Sequence, residues 1–142
     1  MSQGNVDLVR STYENLAKGD IRAFVGLLDA GIEWREAESH PYCGGNPYIG
    51  PDSVMDGIFA RLGEEWEDFG AVPCEFLDAG DTVVVFGRYS GKYKETRRML
   101  DAEFVHVYRV RGGKIVGMRQ YTDTAQFARV TETESDPTHG IG

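Results

Sequence analysis

The first half of the chain carries apolar residues at helical spacing. Residues three or four positions apart share one face of an α-helix, so this pattern predicts amphipathic helices. It occurs in three stretches, whose apolar positions are Val6, Val9, Tyr13 and Leu16, then Ile21, Phe24, Val25 and Leu28, and then Val54, Ile58, Leu62 and Trp66. We expect Asn5 to cap the first helix, Gly19 to end it and Asp20 to cap the second.

The second half of the chain changes to the pattern of β-strands. Four segments rich in β-branched and aromatic residues are separated by turn residues, which predicts strands over 71–77, 82–89, 100–110 and 115–121. The dipeptide Gly112-Gly113 predicts a tight antiparallel hairpin between the last two strands. Helices followed by a run of antiparallel strands indicate an α+β domain.

Length and apolar content are those of one domain. The chain has 142 residues, and its apolar periodicity stops near Thr131, so we expect a domain over 1–130 and a flexible C-terminal tail over 131–142. No apolar run approaches the ~18 residues that a membrane-spanning helix needs, and the polar N-terminal segment does not resemble a signal peptide. We therefore expect a cytoplasmic protein without a membrane partner.

Charge and cysteine content exclude some partners. The formal net charge is −8, which argues against binding to nucleic acid, because phosphate backbones are bound by clusters of Lys and Arg. Cys43 and Cys74 are expected to be buried or half-buried free thiols, with a disulfide between them as the alternative. His40, His106 and His139 are too scattered to predict a metal site. We expect neither a metal nor another cofactor.

Seven short motifs follow one another along residues 5–129. They are Tyr13-x-x-Leu16-x-x-Gly19-Asp20-Ile21, Ile32-Glu33-Trp34-Arg35-Glu36, Tyr48-Ile49-Gly50-Pro51, Gly80-Asp81-Thr82-Val83-Val84-Val85, Phe104-Val105-His106-Val107-Tyr108, Gly113-Lys114-Ile115 and Tyr121-Thr122-Asp123-Thr124. In order and spacing they resemble the nuclear-transport-factor-2-like superfamily, in its SnoaL-like and ketosteroid-isomerase-like branch. The resemblance implies a cone-shaped half-barrel, in which a strongly curved mixed sheet wraps around N-terminal helices and an internal pocket. It also implies a homodimer.

The pocket of such a fold is lined by one face of each strand. Because alternate side chains of a strand share a face, Phe104, His106 and Tyr108 are predicted to lie together, with Tyr89 and Gln120 on matching faces. An aromatic lining with a few polar groups is typical of ligand pockets. The residues that we expect to contact a ligand are Trp34, Phe59, Tyr89, Phe104, Tyr108, Gln120 and Tyr13. The alternative is that these aromatic residues only fill the core.

Two residues fall at catalytic positions of the resembled family. Glu36 lies where ketosteroid isomerases carry the carboxylate that abstracts a proton, and apolar surroundings raise the pKa of such a group towards neutrality. His106 lies where those enzymes place the hydrogen-bond donor to the developing enolate. We expect both to open into the largest cavity. The alternatives are a solvated Glu36 at a strand end and a core His106 satisfied by Tyr89 or Gln120.

Some positions depart from the enzymes of this superfamily. The first-helix tyrosine of ketosteroid isomerases maps nearest to Thr12, with Tyr13 one residue out of phase, and their final-strand tryptophan is Thr122 here. Steroid isomerisation is therefore not expected. The Arg and Asp set of the epoxide-hydrolase branch is absent from the predicted inner faces. The SnoaL-like cyclases add a late acid, but Asp123 is expected to cap a final helical turn instead.

These observations favour an enzyme that transfers a proton at the carbon α to a carbonyl group, as an isomerase, cyclase or dehydratase does. Glu36 is its expected base and His106 its expected electrophile, and the ligand is a small hydrophobic molecule. A non-catalytic binding module and an interaction domain with a vestigial pocket are the alternatives. The outward strand positions Val84, Phe86, Val105 and Val107 form an apolar set that predicts a homodimer interface.

Overall fold

Two helices begin the fold, and their junction lies where the sequence predicts it. The computed structural model describes residues 2–132, without the side chain of Ser2, and 133–142 of the predicted tail lie outside the described residues. Helix α1 spans Ser2–Lys18 and helix α2 spans Ile21–Gly26. Gly19 has φ +75°, and the Asp20 carboxylate accepts a hydrogen bond from the N–H of Ala23 at 3.1 Å. The predicted stop and cap are therefore confirmed.

The capping role expected of Asn5 is wrong. Helix α1 begins three residues earlier, so Asn5 lies within it. Its side-chain amide donates to the carbonyl oxygen of Gly80 at 2.9 Å. The asparagine thus ties the first helix to a distant hairpin turn instead of starting the helix.

The third predicted helix contains an unusual turn. It consists of α3 (Pro51–Val54), a π-helical turn (Met55–Phe59) and α4 (Ala60–Glu65) in immediate succession. Its apolar residues recur every four positions, whereas an α-helix repeats every 3.6, so they drift around an ideal α-helix. A π-turn closes i→i+5 bonds and holds more residues, which brings the apolar positions back to one face.

Within residues 2–132, six strands form one mixed sheet. They are β1 (Leu28–Arg35), β2 (Tyr48–Ile49), β3 (Trp66–Ala79), β4 (Thr82–Tyr93), β5 (Met99–Arg111) and β6 (Lys114–Thr122), and helix α5 (Thr124–Thr131) follows. Their order is β2-β1-β6-β5-β4-β3, with β1 and β6 parallel and every other pair antiparallel. The sheet is curved and does not close, and the N-terminal helices pack against it. The predicted α+β class and its four late strands are confirmed.

The second and third helices end earlier in the chain than the sequence predicts. Leu28 and Trp66 are the first residues of β1 and β3, where they pair with Ile115 and Tyr93. Sheet pairing therefore takes both residues out of the helices to which their spacing assigned them. Among the helices of residues 2–132, none combines the length and the apolar character needed to cross a membrane.

Burial alternates along the strands as the sequence predicts. Phe104, His106 and Tyr108 of β5 are buried, while Val105 and Val107 between them are half-buried. At the tip of the β5–β6 hairpin, Gly112 and Gly113 have φ +58° and +74°, values that glycine adopts without strain. The predicted hairpin and the predicted inner face of β5 are both confirmed.

Candidate functional site

One row of polar side chains crosses the concave face of the sheet. His106 is paired with Gln120 across β5 and β6, and Arg35 is paired with Arg119, so Glu36 follows beside Gln120. Neighbouring strands lie ~4.8 Å apart, which places the backbones of Glu36 and His106 about two strand spacings apart. Glu36 and Gln120 are each 5% exposed and His106 is 6% exposed. The sheet therefore brings both predicted catalytic residues to one buried row.

The Glu36 carboxylate is enclosed by an indole and an imidazole. Its Oε2 accepts a hydrogen bond from Nε1 of Trp34 at 2.9 Å, and its Oε1 lies 3.7 Å from Nδ1 of His40. That nitrogen already accepts the backbone N–H of Tyr42 at 3.0 Å, so it carries no proton to share with Glu36. Burial raises the pKa of Glu36 to about 7, although the Trp34 indole and the Gln120 amide act in the opposite direction.

The backbone beside this carboxylate is held by two side-chain amides. Asn46 accepts the N–H of Glu36 through Oδ1 at 2.8 Å and donates from Nδ2 to its carbonyl oxygen at 2.7 Å. Oε1 of Gln120 accepts the N–H of Ala37 at 3.0 Å. The chain is thus fixed directly after β1 ends at Arg35.

His106 lies between two tyrosines. Its Nδ1 is 2.7 Å from the Tyr13 hydroxyl and its Nε2 is 2.6 Å from the Tyr89 hydroxyl. The amide of Gln120 donates to the Tyr89 oxygen at 2.7 Å, which links this cluster to the Glu36 end of the row. Burial lowers the pKa of His106 to about 3, so the imidazole is neutral around pH 7.

Counting protons limits the direction of these hydrogen bonds. A neutral imidazole has one N–H donor and one acceptor nitrogen, and each tyrosine hydroxyl has one proton to donate. His106 therefore donates to one of the two tyrosine oxygens and accepts from the hydroxyl of the other. The tyrosine that accepts from His106 keeps its own proton for a ligand. Because both ring nitrogens are occupied, a ligand on this face meets tyrosine hydroxyls and no free imidazole N–H.

The network ends on helix α1. The Tyr108 hydroxyl donates to the Tyr13 oxygen at 3.0 Å. The Thr12 hydroxyl, whose contact with Tyr108 lowers the pKa of that tyrosine, donates to the carbonyl oxygen of Val9 at 2.7 Å. Burial raises the pKa of Tyr13 far above its usual range and that of Tyr108 to about 12, so both remain protonated at neutral pH. The network therefore connects Gln120, Tyr89, His106, Tyr13 and Tyr108.

The remaining predicted contact residues divide between the two ends. The Phe104 ring stacks on the His106 ring with centroids 4.0 Å apart. Phe59 packs edge-on against Trp34 with centroids 5.7 Å apart. Trp34 and Phe59 thus belong to the Glu36 end and Phe104 to the His106 end, and each of these side chains packs against another ring, as core residues do.

A surface cleft of about 520 Å³ lies elsewhere on the molecule. It is lined by Arg98, Met99, Gln126, Arg129, Val130 and Glu132. Neither Glu36 nor His106 borders this cleft, so it is not the cavity into which we expected both to open. Within residues 2–132, no group of three His, Cys, Asp or Glu side chains is placed to hold a metal ion. Cys43 and Cys74 are both free thiols, as predicted, but only Cys43 is half-buried, whereas Cys74 is exposed.

Sequence reasoning missed the ring of His40, which lies beside Glu36, and the ring of Phe127, which packs against His40. His40 is 4% exposed, and burial lowers its pKa to about 4, so it is neutral at pH 7. Phe127 of α5 is fully buried, with its ring centroid 4.4 Å from His40 and 5.8 Å from Tyr89. The spacing Glu36-x-x-x-His40 was an available signal, whereas nothing in the sequence marks Phe127. Helix α5 begins as predicted, because the Asp123 carboxylate caps it.

Comparison with known proteins agrees with this architecture. The family model of the SnoaL-like domain matches residues 9–118. A nuclear-transport-factor-2-like protein from Burkholderia thailandensis is 35% identical, with a TM-score of 0.86, over 90% of this chain and 97% of that chain. Among curated proteins, none matches this chain.

Two more distant structures share the fold. A hypothetical protein from Catenulispora acidiphila, which has a ketosteroid-isomerase-like fold and is in complex with trimethylamine, is 18% identical with a TM-score of 0.73, over 87% of this chain and 91% of that one. TerC, co-crystallized with polyporic acid, is 23% identical with a TM-score of 0.80, over 92% and 99%. With one family model covering most of its length and one solved relative above 30% identity, this chain belongs to the SnoaL-like domain family of nuclear-transport-factor-2-like proteins.

Proposed function

We propose that this chain binds a small, mostly hydrophobic carbonyl compound on the concave face of its sheet and transfers a proton at the carbon α to that carbonyl. The observation that carries the proposal is the buried carboxylate of Glu36, whose pKa burial raises to about 7. A general base works best when its pKa lies near the working pH, because it is then both ionised and able to hold the proton that it takes.

The proton balance of this step needs no second reagent. Glu36 removes a proton from the α-carbon, and the electron pair of the broken C–H bond moves to the carbonyl oxygen, which becomes an enolate. The protonated Glu36 then returns the proton to another carbon, as in an isomerisation, or to a leaving group, as in a dehydration. No cofactor takes part in this balance.

The enolate oxygen needs hydrogen-bond donors that are already in place. Tyr89 lies between Gln120 and His106, and in the Nε2–H tautomer of His106 its oxygen accepts from both, which leaves its own proton for the enolate. Preorganised donors of this kind stabilise charge that develops in a transition state. We assign the donor role to the tyrosines and a supporting role to His106, whose ring nitrogens are both occupied.

Small molecules bound to proteins of the same fold support the binding part of the proposal. One solved relative is in complex with trimethylamine and another was co-crystallized with polyporic acid. In this chain the Phe127 ring packs against His40 and lies edge-on to Tyr89, which adds an apolar ring near the Glu36 end of the row.

The test begins with a ligand. Cyclic ketones and aromatic carbonyl compounds are screened by thermal shift, and each binder is incubated with the protein in D₂O while ¹H NMR follows the loss of its α-protons. The substitution Glu36→Gln should lower the exchange rate by ~10²–10⁴-fold while affinity stays within about tenfold. The exposed Glu38, two residues further along the chain, gives the matched control Glu38→Gln, which should exchange like the wild type.

The same measurement separates the second candidate function. The hydroxyls of Tyr13 and Tyr89 and the imidazole of His106 already satisfy one another, which is also what a non-catalytic binding module needs for a stable interior. If binders appear but neither the wild type nor Glu36→Gln exchanges their α-protons, the chain is such a module. Equal exchange by the wild type and Glu36→Gln would remove Glu36 as the base.

A further inference from the structure

Strand β1 loses its regular partners just before Glu36. On one side its antiparallel pairing with β2 ends at Trp34 and Tyr48. On the other side its parallel pairing with β6 ends at Arg35 and Arg119. Both backbone groups of Glu36 therefore need other partners, because unpaired buried backbone groups are costly.

The side chain of Asn46, two residues before β2 begins, supplies both partners. In the antiparallel pairing of β1 with β2, Glu33 lies opposite Ile49 and Trp34 lies opposite Tyr48. If this register continued for two more residues, Asn46 would lie opposite Glu36. The side-chain amide of Asn46 makes the two hydrogen bonds that the backbone of a neighbouring strand would otherwise make. Its Oδ1 accepts from the N–H of Glu36 at 2.8 Å, and its Nδ2 donates to the carbonyl oxygen of Glu36 at 2.7 Å. One amide thus extends the ladder by one pair.

We propose that Asn46 is a positioning residue for Glu36, whose backbone it holds extended so that the carboxylate points inward to the Trp34 indole. Alternate residues of an extended chain share a face, so Glu36 lies on the same side as Trp34 only while the strand geometry continues through residue 36. The consequence for catalysis rests on the proposed function, in which Glu36 is the base. The positioning itself is measurable without any substrate.

The contact between Glu36 and Trp34 provides the readout. The indole N–H donates to the carboxylate at 2.9 Å, so its ¹H–¹⁵N signal should shift when Glu36 ionises. The other titratable groups facing this carboxylate are His40, Tyr89 and Tyr108, and none titrates near pH 7. The pKa of His40 is lowered to about 4 by burial, that of Tyr108 is raised to about 12, and that of Tyr89 is raised well above its usual range. The charge of Arg61 also lowers the pKa of His40.

The experiment is a pH titration of the Trp34 indole signal in the full chain. The wild type should show a midpoint near pH 7, and Glu36→Gln should abolish the titration. Asn46→Ala should lower the midpoint by roughly one pH unit or more, because a carboxylate that turns towards water regains its hydration. Asn46→Ser should shift it in the same direction by less, which keeps the test available if the alanine variant does not fold.

Two internal references make the result specific. Trp66 donates its indole N–H to the Tyr42 hydroxyl at 3.2 Å, so its signal should not follow Glu36. Asn5→Ala removes another bond from an asparagine side chain to the backbone, on α1, and should leave the midpoint unchanged. An unchanged midpoint in both Asn46 variants, or an equal shift in Asn5→Ala, overturns the proposal. If Glu36→Gln retains full exchange activity, the proposed function fails while the titration result stands.

Discussion

The concave and convex faces of strands β4–β6 use similar residue types in opposite ways. On the concave face Tyr89 and His106 are buried and hydrogen-bonded to each other. On the convex face Phe86 is paired with Val105, and Val105 with Tyr121, so that a row of apolar and aromatic side chains points away from the core. Phe86 is 38% exposed and Tyr121 is 52% exposed.

The difference shows what burial requires of a polar ring. Within residues 2–132, every buried side-chain nitrogen or oxygen has a hydrogen-bond partner. Removing one member of the concave cluster therefore leaves others without partners, whereas the Tyr121 hydroxyl on the convex face is exposed. Substitutions on the two faces should consequently differ strongly in their cost.

The largest effect is expected from His106→Ala. The hydroxyls of Tyr13 and Tyr89 would each lose a buried partner, and deletion of the ring would leave a cavity under Phe104. We expect the free energy of unfolding to fall by roughly 3–5 kcal/mol, measured by urea denaturation at pH 7. A loss below about 1 kcal/mol would show that the concave network does not hold the fold together.

A smaller, pH-dependent effect is expected from Glu36→Gln. The folded-state pKa of about 7 lies above the ordinary value of 4.5, so the folded protein holds the proton more tightly, and this stabilisation is lost as the pH rises from 4.5 to 7. Glutamine does not titrate, and the contributions of the three histidines are common to both proteins and cancel in the comparison. The variant should therefore gain up to about 3 kcal/mol relative to the wild type over this range. A difference that stays constant between pH 4.5 and 7 would contradict the raised pKa.

The smallest effect on folding is expected on the convex face. We propose that its apolar row, with the half-buried Val84 and Val107 beside it, is covered by the same face of a second copy. Phe86→Lys should change the free energy of unfolding of the monomer by no more than ~0.5 kcal/mol. Sedimentation at micromolar concentration should nevertheless show a dimer for the wild type and a monomer for the variant. A monomeric wild type would remove the proposed interface.

Local patterns in the sequence predicted much of this arrangement. The alternation that placed Phe104, His106 and Tyr108 on one face is a property of any extended chain, so it could be read without knowing the partners of β5. The Gly19-Asp20 junction was equally local, since one residue ends a helix and the next caps another. The family resemblance added the cone and the position of Glu36.

Contacts between distant segments could not be predicted in this way. Leu28 and Trp66 fitted helical spacing, but strand pairing with β6 and β4 decided their place. Asn46 is held by the register of a two-residue strand, and Phe127 reaches His40 from the last helix. Whether His106 would face a ligand or two tyrosines likewise depended on residues up to 93 positions away.

The π-turn at Met55–Phe59 sets the direction in which the side chains of the third helical segment point, and the packing of Phe59 on the core depends on it. Each residue of an α-helix advances by about 100°, so the loss of a single residue from this turn would leave a regular helix but would rotate one half against the other. Phe59 would then leave the faces of Phe24 and Trp34, on which it now packs. Homologues that are one residue shorter here are therefore expected to retain the helix but to line the Glu36 end with a different side chain.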